Sequence, residues 1–122
     1  MINDELKRWH MENLKYECSK RLYERLCTAC ESRKGGMQMC DQDMIFDACT
    51  TEDVKERLRL DILGRGVITT TYNGGQQYSK ENKSVGQLRA YIDAQRKIFS
   101  DLRITPARRG EEAAAESDFD AI

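Results

Sequence analysis

No proline or glycine interrupts the chain between Asp4 and Lys34. Such a run favours continuous helix, because Gly and Pro are the residues that stop one most sharply. Apolar groups recur within it at Leu6, Trp9, Tyr16, Tyr23, Leu26, Cys27 and Cys30, and Trp9, Tyr16, Tyr23 and Cys30 follow one another at heptad spacing. Heptad steps are close to two helical turns, so these side chains share one face. The pattern predicts one long helix whose seam, including Trp9, Tyr16 and Tyr23, packs on a partner helix or subunit. Its outer face carries Lys7, Arg8, Lys15, Lys20, Arg21 and Arg25 among Glu5, Glu12, Glu17 and Glu24. Interleaved signs suit a solvated, ion-paired face, and the same cations are candidate phosphate contacts.

Gly35 and Gly36 follow Arg33 and Lys34, as expected of a helix C-terminus with cations against the negative end of its dipole. The chain turns there. A second helical segment is expected from about Asp41 to Leu63 on Met44, Ile45, Ala48, Cys49, Val54, Leu58, Ile62 and Leu63, which makes a long helical hairpin. Thr50 and Asp53 resemble a capping box, a point at which this segment can divide in two. Gly64 and Gly66 end it.

Val67 to Tyr78 reads VITTTYNGGQQY, a β-hairpin over about 67–78. Asn73, Gly74 and Gly75 supply the positive φ that two-residue turns need, and two registers are open. With Asn73-Gly74 as the turn, Thr71 opposes Gln76; with Gly74-Gly75, Thr71 opposes Tyr78. A lone hairpin is at best marginally stable in water, so this one should dock on a helix or pair between subunits. Ile68, Tyr72, Asn73, Gly74 and Tyr78 are candidate subunit contacts.

A third helix is expected from Asn82 or Ser84, with Ser84 and Gln87 as a capping box, and a stripe of Val85, Leu88, Ile92, Phe99 and Leu102 supplemented by Tyr91 and Ile98. Thr105-Pro106 reads as the start of another short turn. Residues 1–109 are expected to form one mainly α domain. The remainder, GEEAAAESDFDAI from Gly110, is expected to be a disordered acidic tail in which Phe119 and Ile122 are docking candidates.

Composition adds two constraints. Hydrophobic residues make up 39% and charged residues 34% of the chain, against roughly 45–50% and about 25% in an average soluble domain. The core must be thin, and burial against identical neighbours would compensate for it. The net charge of −1 hides an asymmetry, because all 20 Lys and Arg precede Gly110 while Glu111, Glu112, Glu116, Asp118 and Asp120 follow it. The body is therefore basic and the tail acidic. No apolar stretch approaches the ~20 residues that span a bilayer, and the charged N-terminus lacks a signal segment, so no membrane association is expected.

Catalytic signals are sparse. His10 is the single histidine, and on a charged helix it reads as structural or solvent-facing. Gly64-Arg65-Gly66 and Asn73-Gly74-Gly75 lack the Lys-Ser/Thr that makes a phosphate loop. Cys27, Cys30, Cys40 and Cys49 are enough for tetrahedral zinc, but the first pair lies inside an uninterrupted helix and the others are far apart. With Cys18, they read as reduced thiols on helix faces. No catalytic residue, metal or cofactor is expected.

Leu58 to Arg109 resembles the small subunit of phage terminase. The resemblance lies in the order of Ile62-Leu63-Gly64-Arg65-Gly66-Val67-Ile68, Asn73-Gly74, Asn82-Lys83, the stripe from Val85 to Leu102, and Arg103-Ile104-Thr105-Pro106-Ala107-Arg108-Arg109. Lys83 stands where the family usually has Pro, and Arg103 where it usually has Gly. The resemblance implies a non-enzymatic protein of the host cell cytoplasm that assembles as an oligomeric ring. It also implies that the protein recognises viral double-stranded DNA and serves the large terminase subunit, which carries the ATPase and nuclease. Candidate DNA contacts are Lys7, Arg8, Lys15, Lys20, Arg21, Arg25, Arg33 and Lys34, with Arg103, Arg108 and Arg109 as a second cluster. The alternative from another class is a small helical dimeric regulator or adaptor that binds a protein.

Overall fold

The computed structural model describes residues 2–104, with positions 69, 71–73 and 78 of the hairpin described through their backbone alone. The elements are α1 (Asp4–Glu12), α2 (Glu17–Ser32), α3 (Met39–Arg65), β1 (Ile68–Asn73), β2 (Gln76–Glu81) and α4 (Lys83–Asp101). The architecture is mainly α with one short strand pair, as expected.

The expected first helix is two helices. Asn13 ends α1, its side-chain amide donating to the Trp9 carbonyl at 2.7 Å, and Leu14 drops into the core. The second helix then starts at Tyr16, whose own side chain makes no cap. The cap comes from Asp53 on α3, whose carboxylate accepts from the backbone N–H of Lys15 at 2.9 Å and of Tyr16 at 3.0 Å. A carboxylate on orphan N–H groups stabilises a helix start, and here it fixes where the chain breaks. This also explains why α3 stays whole at Thr50. Asp53 serves another helix, and the Thr50 and Thr51 hydroxyls donate back to the carbonyls of Phe46 and Asp47 within α3.

The break redirects the heptad face. Tyr23 and Cys30 are wholly buried inside the chain, Trp9 is 55% exposed, and Tyr16 is half-buried at the break. They do not form one seam. Tyr23 joins Leu14, Leu26, Cys27, Cys30, Met37, Ile45, Ala48, Cys49 and Leu102 in the core, with Ile98, Phe99 and Ile104 packed on its edge. Apolar burial is thus concentrated where α2, the first half of α3 and the last turn of α4 meet.

The other half of the α3–α4 pair is held by polar contacts. Lys55 donates to Gln95 at 2.5 Å, and Gln95 donates to the Ala48 carbonyl and to Glu52. Burial disfavours the Glu52 carboxylate, but bonds from Gln95, Arg59 and Lys55 outweigh that and its pKa is lowered. Further along, Asn82 caps α4 by accepting from Ser84 N–H at 3.0 Å, while its own N–H donates to Val67 and its amide to Gly66. The Ser84 hydroxyl donates to Asp61 at 2.5 Å and does not join Gln87 in a capping box. The hairpin adopts the Gly74-Gly75 register, with Asn73 opposite Gln76 and Thr71 opposite Tyr78. Gly74 and Gly75 have φ of 58° and 81°, the left-handed pair required by the tight primed turn.

Candidate interaction surfaces

The buried titratable groups near the core are structural. His10 stacks on Phe46 with ring centroids 4.2 Å apart, and its Nδ1 lies 2.7 Å from the Tyr23 hydroxyl. That hydroxyl accepts from Gln42 at 3.2 Å, which leaves its proton for His10. Burial lowers the His10 pKa despite Asp43 and Asp47 nearby. Burial likewise pushes the thiol pKa of Cys27 up to about 11 and raises those of Cys30 and Cys49, so these groups are neutral packing thiols. Cys40 is exposed and apart from them. Among the described residues no three His, Cys, Asp or Glu converge as a metal site.

The candidate cations divide by environment. Lys7 pairs with Glu24 at 2.9 Å. Arg33 is taken into a nearly buried ion pair with Asp41 and also donates to the Leu102 carbonyl, which locks the loop after α2 to the end of α4. Arg8, Lys15, Arg21, Arg25, Lys34 and Arg103 are exposed, and Lys20 is half-buried. Arg108 and Arg109 lie outside the described residues, as do Thr105-Pro106 and the acidic tail. An open cleft of about 370 Å³ lies beside Arg33, Lys34, Gly35, Gly36 and Arg103, with Asp41 and Asp101 on its wall.

At the opposite end, Asp61 binds Arg65 through two contacts of 2.7 Å and also receives Ser84 and Asn82. Arg65 and Ser84 together hold its pKa well below the usual carboxylate range. These four residues fasten the hairpin base to α3 and α4. The motif order Gly66…Asn82 marked this junction, but its chemistry was hidden because Asp61 and Arg65 read in sequence as an ordinary helical ion pair. Beside it Leu60, Leu63, Val67 and Ile68 are 48, 81, 55 and 67% exposed. These four large aliphatic residues, close in sequence, are left to solvent at the end of α3 and the start of the hairpin.

The family model for the small subunit of phage terminase matches residues 19–118, most of the chain. The chain belongs to that family. The match begins at Ser19, so the family likeness includes α2 and extends well upstream of Leu58, where the recognisable motifs start. α1, the break after it and the first two residues of α2 precede the matched part of this terminase small-subunit chain. No curated protein and no solved structure matches it. Among the described residues of this family member, no helix is long and apolar enough to cross a membrane.

Proposed function

We propose that the protein is the DNA-recognition component of a phage packaging motor. It assembles as a closed ring of identical subunits, binds viral double-stranded DNA, and delivers that DNA to the large subunit in the host cytoplasm. It performs no reaction itself; cleavage and ATP hydrolysis belong to the large subunit. The family match over residues 19–118 carries this reading. Residues 1–109 act as the assembly and recognition domain, and the acidic tail from Gly110 is the segment offered to the large subunit.

The helix lengths support self-assembly. At 1.5 Å per residue, the 27 residues of α3 extend about 40 Å, whereas the 16 of α2 extend about 24 Å. Because Asp53 fixes the start of α2, the end of α3 projects beyond it and exposes Leu60 and Leu63. Together with Val67, Ile68 and the hairpin at Gly74, this projection is the subunit contact, and Trp9, which packs on Phe46 in the first half of α3, and Tyr16 are further candidates. A ring also multiplies a modest basic surface by the number of subunits, which raises DNA avidity through effective concentration.

Native mass spectrometry combined with a DNA-binding series in rising salt tests the proposal. A closed oligomer above a dimer, with affinity falling steeply as salt rises, is expected. A stable monomer at micromolar concentration overturns the ring. A dimer that shifts no DNA at low salt would fit a protein-binding adaptor instead.

A further inference from the structure

We propose that the exposed flank of α4, running from Arg89 past Arg96 to the cleft beside Lys34, is the surface on which the phosphate backbone of double-stranded DNA lies. This rests on the DNA-binding reading above and says where that binding occurs.

The argument starts from how charge divides among the helices. In α2 three cations face three acids, and α1 and α3 carry more acids than bases. Only α4 has a basic excess, with Lys83, Arg89, Arg96 and Lys97 against Asp93 and Asp101. All four cations are exposed, and Arg89, Arg96 and Lys97 make no ion pair among the described residues. By contrast, Lys7 is paired with Glu24 and Arg33 with Asp41. Arg8, Arg21 and Arg25 are exposed as well, but they lie on helices whose acids match or outnumber their bases, so the net positive charge is greatest on α4.

Geometry aligns part of that charge. Arg89 and Arg96 are at heptad spacing, so they share a flank of α4 about 10 Å apart, and Arg103 follows beyond the helix end. Arg103 is exposed at φ 59° and stands on the rim of the cleft with Lys34. Asp41 in that cleft is engaged by Arg33, and Asp101 also lies on its wall. The inward side of α4 is filled by Ser84, Gln95 and Leu102, so the ridge is rigidly backed. Guanidinium groups about 10 Å apart on one helix flank complement duplex DNA, which carries one negative charge per ~1.7 Å of axis. Guanidinium groups bind phosphate well because their planar fork matches its oxygens.

The test uses full-length protein and a labelled duplex, with binding followed by anisotropy across a salt series. The variants are R89Q/R96Q and, for comparison, R21Q/R25Q. Loss of two phosphate contacts should weaken binding about tenfold or more and flatten the salt dependence. R21Q/R25Q should stay within about threefold of wild type. Circular dichroism and native mass should be unchanged for both pairs, since all four residues are exposed. Wild-type binding that survives R89Q/R96Q overturns this surface while leaving DNA binding standing. Absence of DNA binding by the wild type overturns both. If R89Q/R96Q abolishes capture of the purified large subunit but not of DNA, the ridge serves an acidic protein and the proposal fails.

Discussion

The carboxylate of Asp53 on α3 accepts a hydrogen bond from the backbone N–H of Tyr16 at 3.0 Å, and that contact decides where α2 begins. A second bond, from Lys15 N–H, completes the cap. Asp53→Ala should cost about 1–2 kcal/mol, in the range for a lost N-cap, while Asp53→Asn should lose less because it keeps one acceptor. Urea unfolding followed by circular dichroism measures both. Equal stability of Asp53→Ala and wild type would mean that the break is fixed by Leu14 burial alone.

Asp53 also shows what the sequence could and could not disclose. The hairpin around Asn73-Gly74-Gly75, a helix start at Asn82 or Ser84 and the apolar stripe ending at Leu102 depend on local chemistry, so they were legible, while the choice between the two registers and the two starts was not. The break after Asn13 depends on a carboxylate almost 40 residues away, and no local pattern announces it. The Lys55–Gln95–Glu52 contacts were hidden for the same reason, because a lysine and a glutamine on two helices read as solvent-facing until the helices are placed together. The Arg89–Arg96 spacing was visible in the sequence. It gained meaning only once the structure showed Lys7 and Arg33 engaged by acids.

Arg33 and Asp41 form an ion pair with both side chains over nine-tenths buried, and Asp41 also accepts from the Gln38 N–H. Removing one partner leaves the other charge buried, so Arg33→Met alone should destabilise by about 3–5 kcal/mol. The double variant Arg33→Met with Asp41→Asn should recover a large part of that loss. A double-mutant cycle in urea checks the coupling. Additive effects would show that the pair is not energetically joined.

His10 gives the stability a pH dependence of known sign. Burial lowers its pKa from 6.5 in the fold, so below pH 6.5 the unfolded chain takes up a proton that the folded chain resists. Stability should be full above pH 6.5 and decline as pH falls, until folded His10 also protonates. Asp61 and Glu52, with lowered pKa values, add losses at more acidic pH. Urea midpoints between pH 7.5 and 5.5 should slope for wild type and flatten for His10→Gln; equal slopes would remove His10 as the cause.

Gly74 has φ 58°, and a Cβ built there meets nothing within 4 Å. The cost of a side chain is therefore conformational, about 1–2 kcal/mol for a residue forced left-handed. Gly74→Val should loosen the hairpin and lower the oligomer mass, whereas Gly74→Asn should be tolerated because Asn accepts this conformation. Amide hydrogen exchange over β1 and β2, read alongside native mass, separates the two effects. Fast exchange with unchanged mass would remove the hairpin turn from the subunit contact.

Leu63 is 81% exposed on the projecting end of α3, and Met39 is 89% exposed at its other end. Both are large apolar groups in water, but only Leu63 has exposed apolar neighbours in Leu60, Val67 and Ile68. Leu63→Glu should leave the subunit fold within about 0.5 kcal/mol of wild type, since an exposed position away from the core bears little on folding. It should nevertheless shift the native mass towards monomer, because a carboxylate would have to be desolvated in the contact. Met39→Glu should leave the mass unchanged. An oligomer that withstands Leu63→Glu but dissociates with Met39→Glu would move the subunit contact to the opposite end of α3.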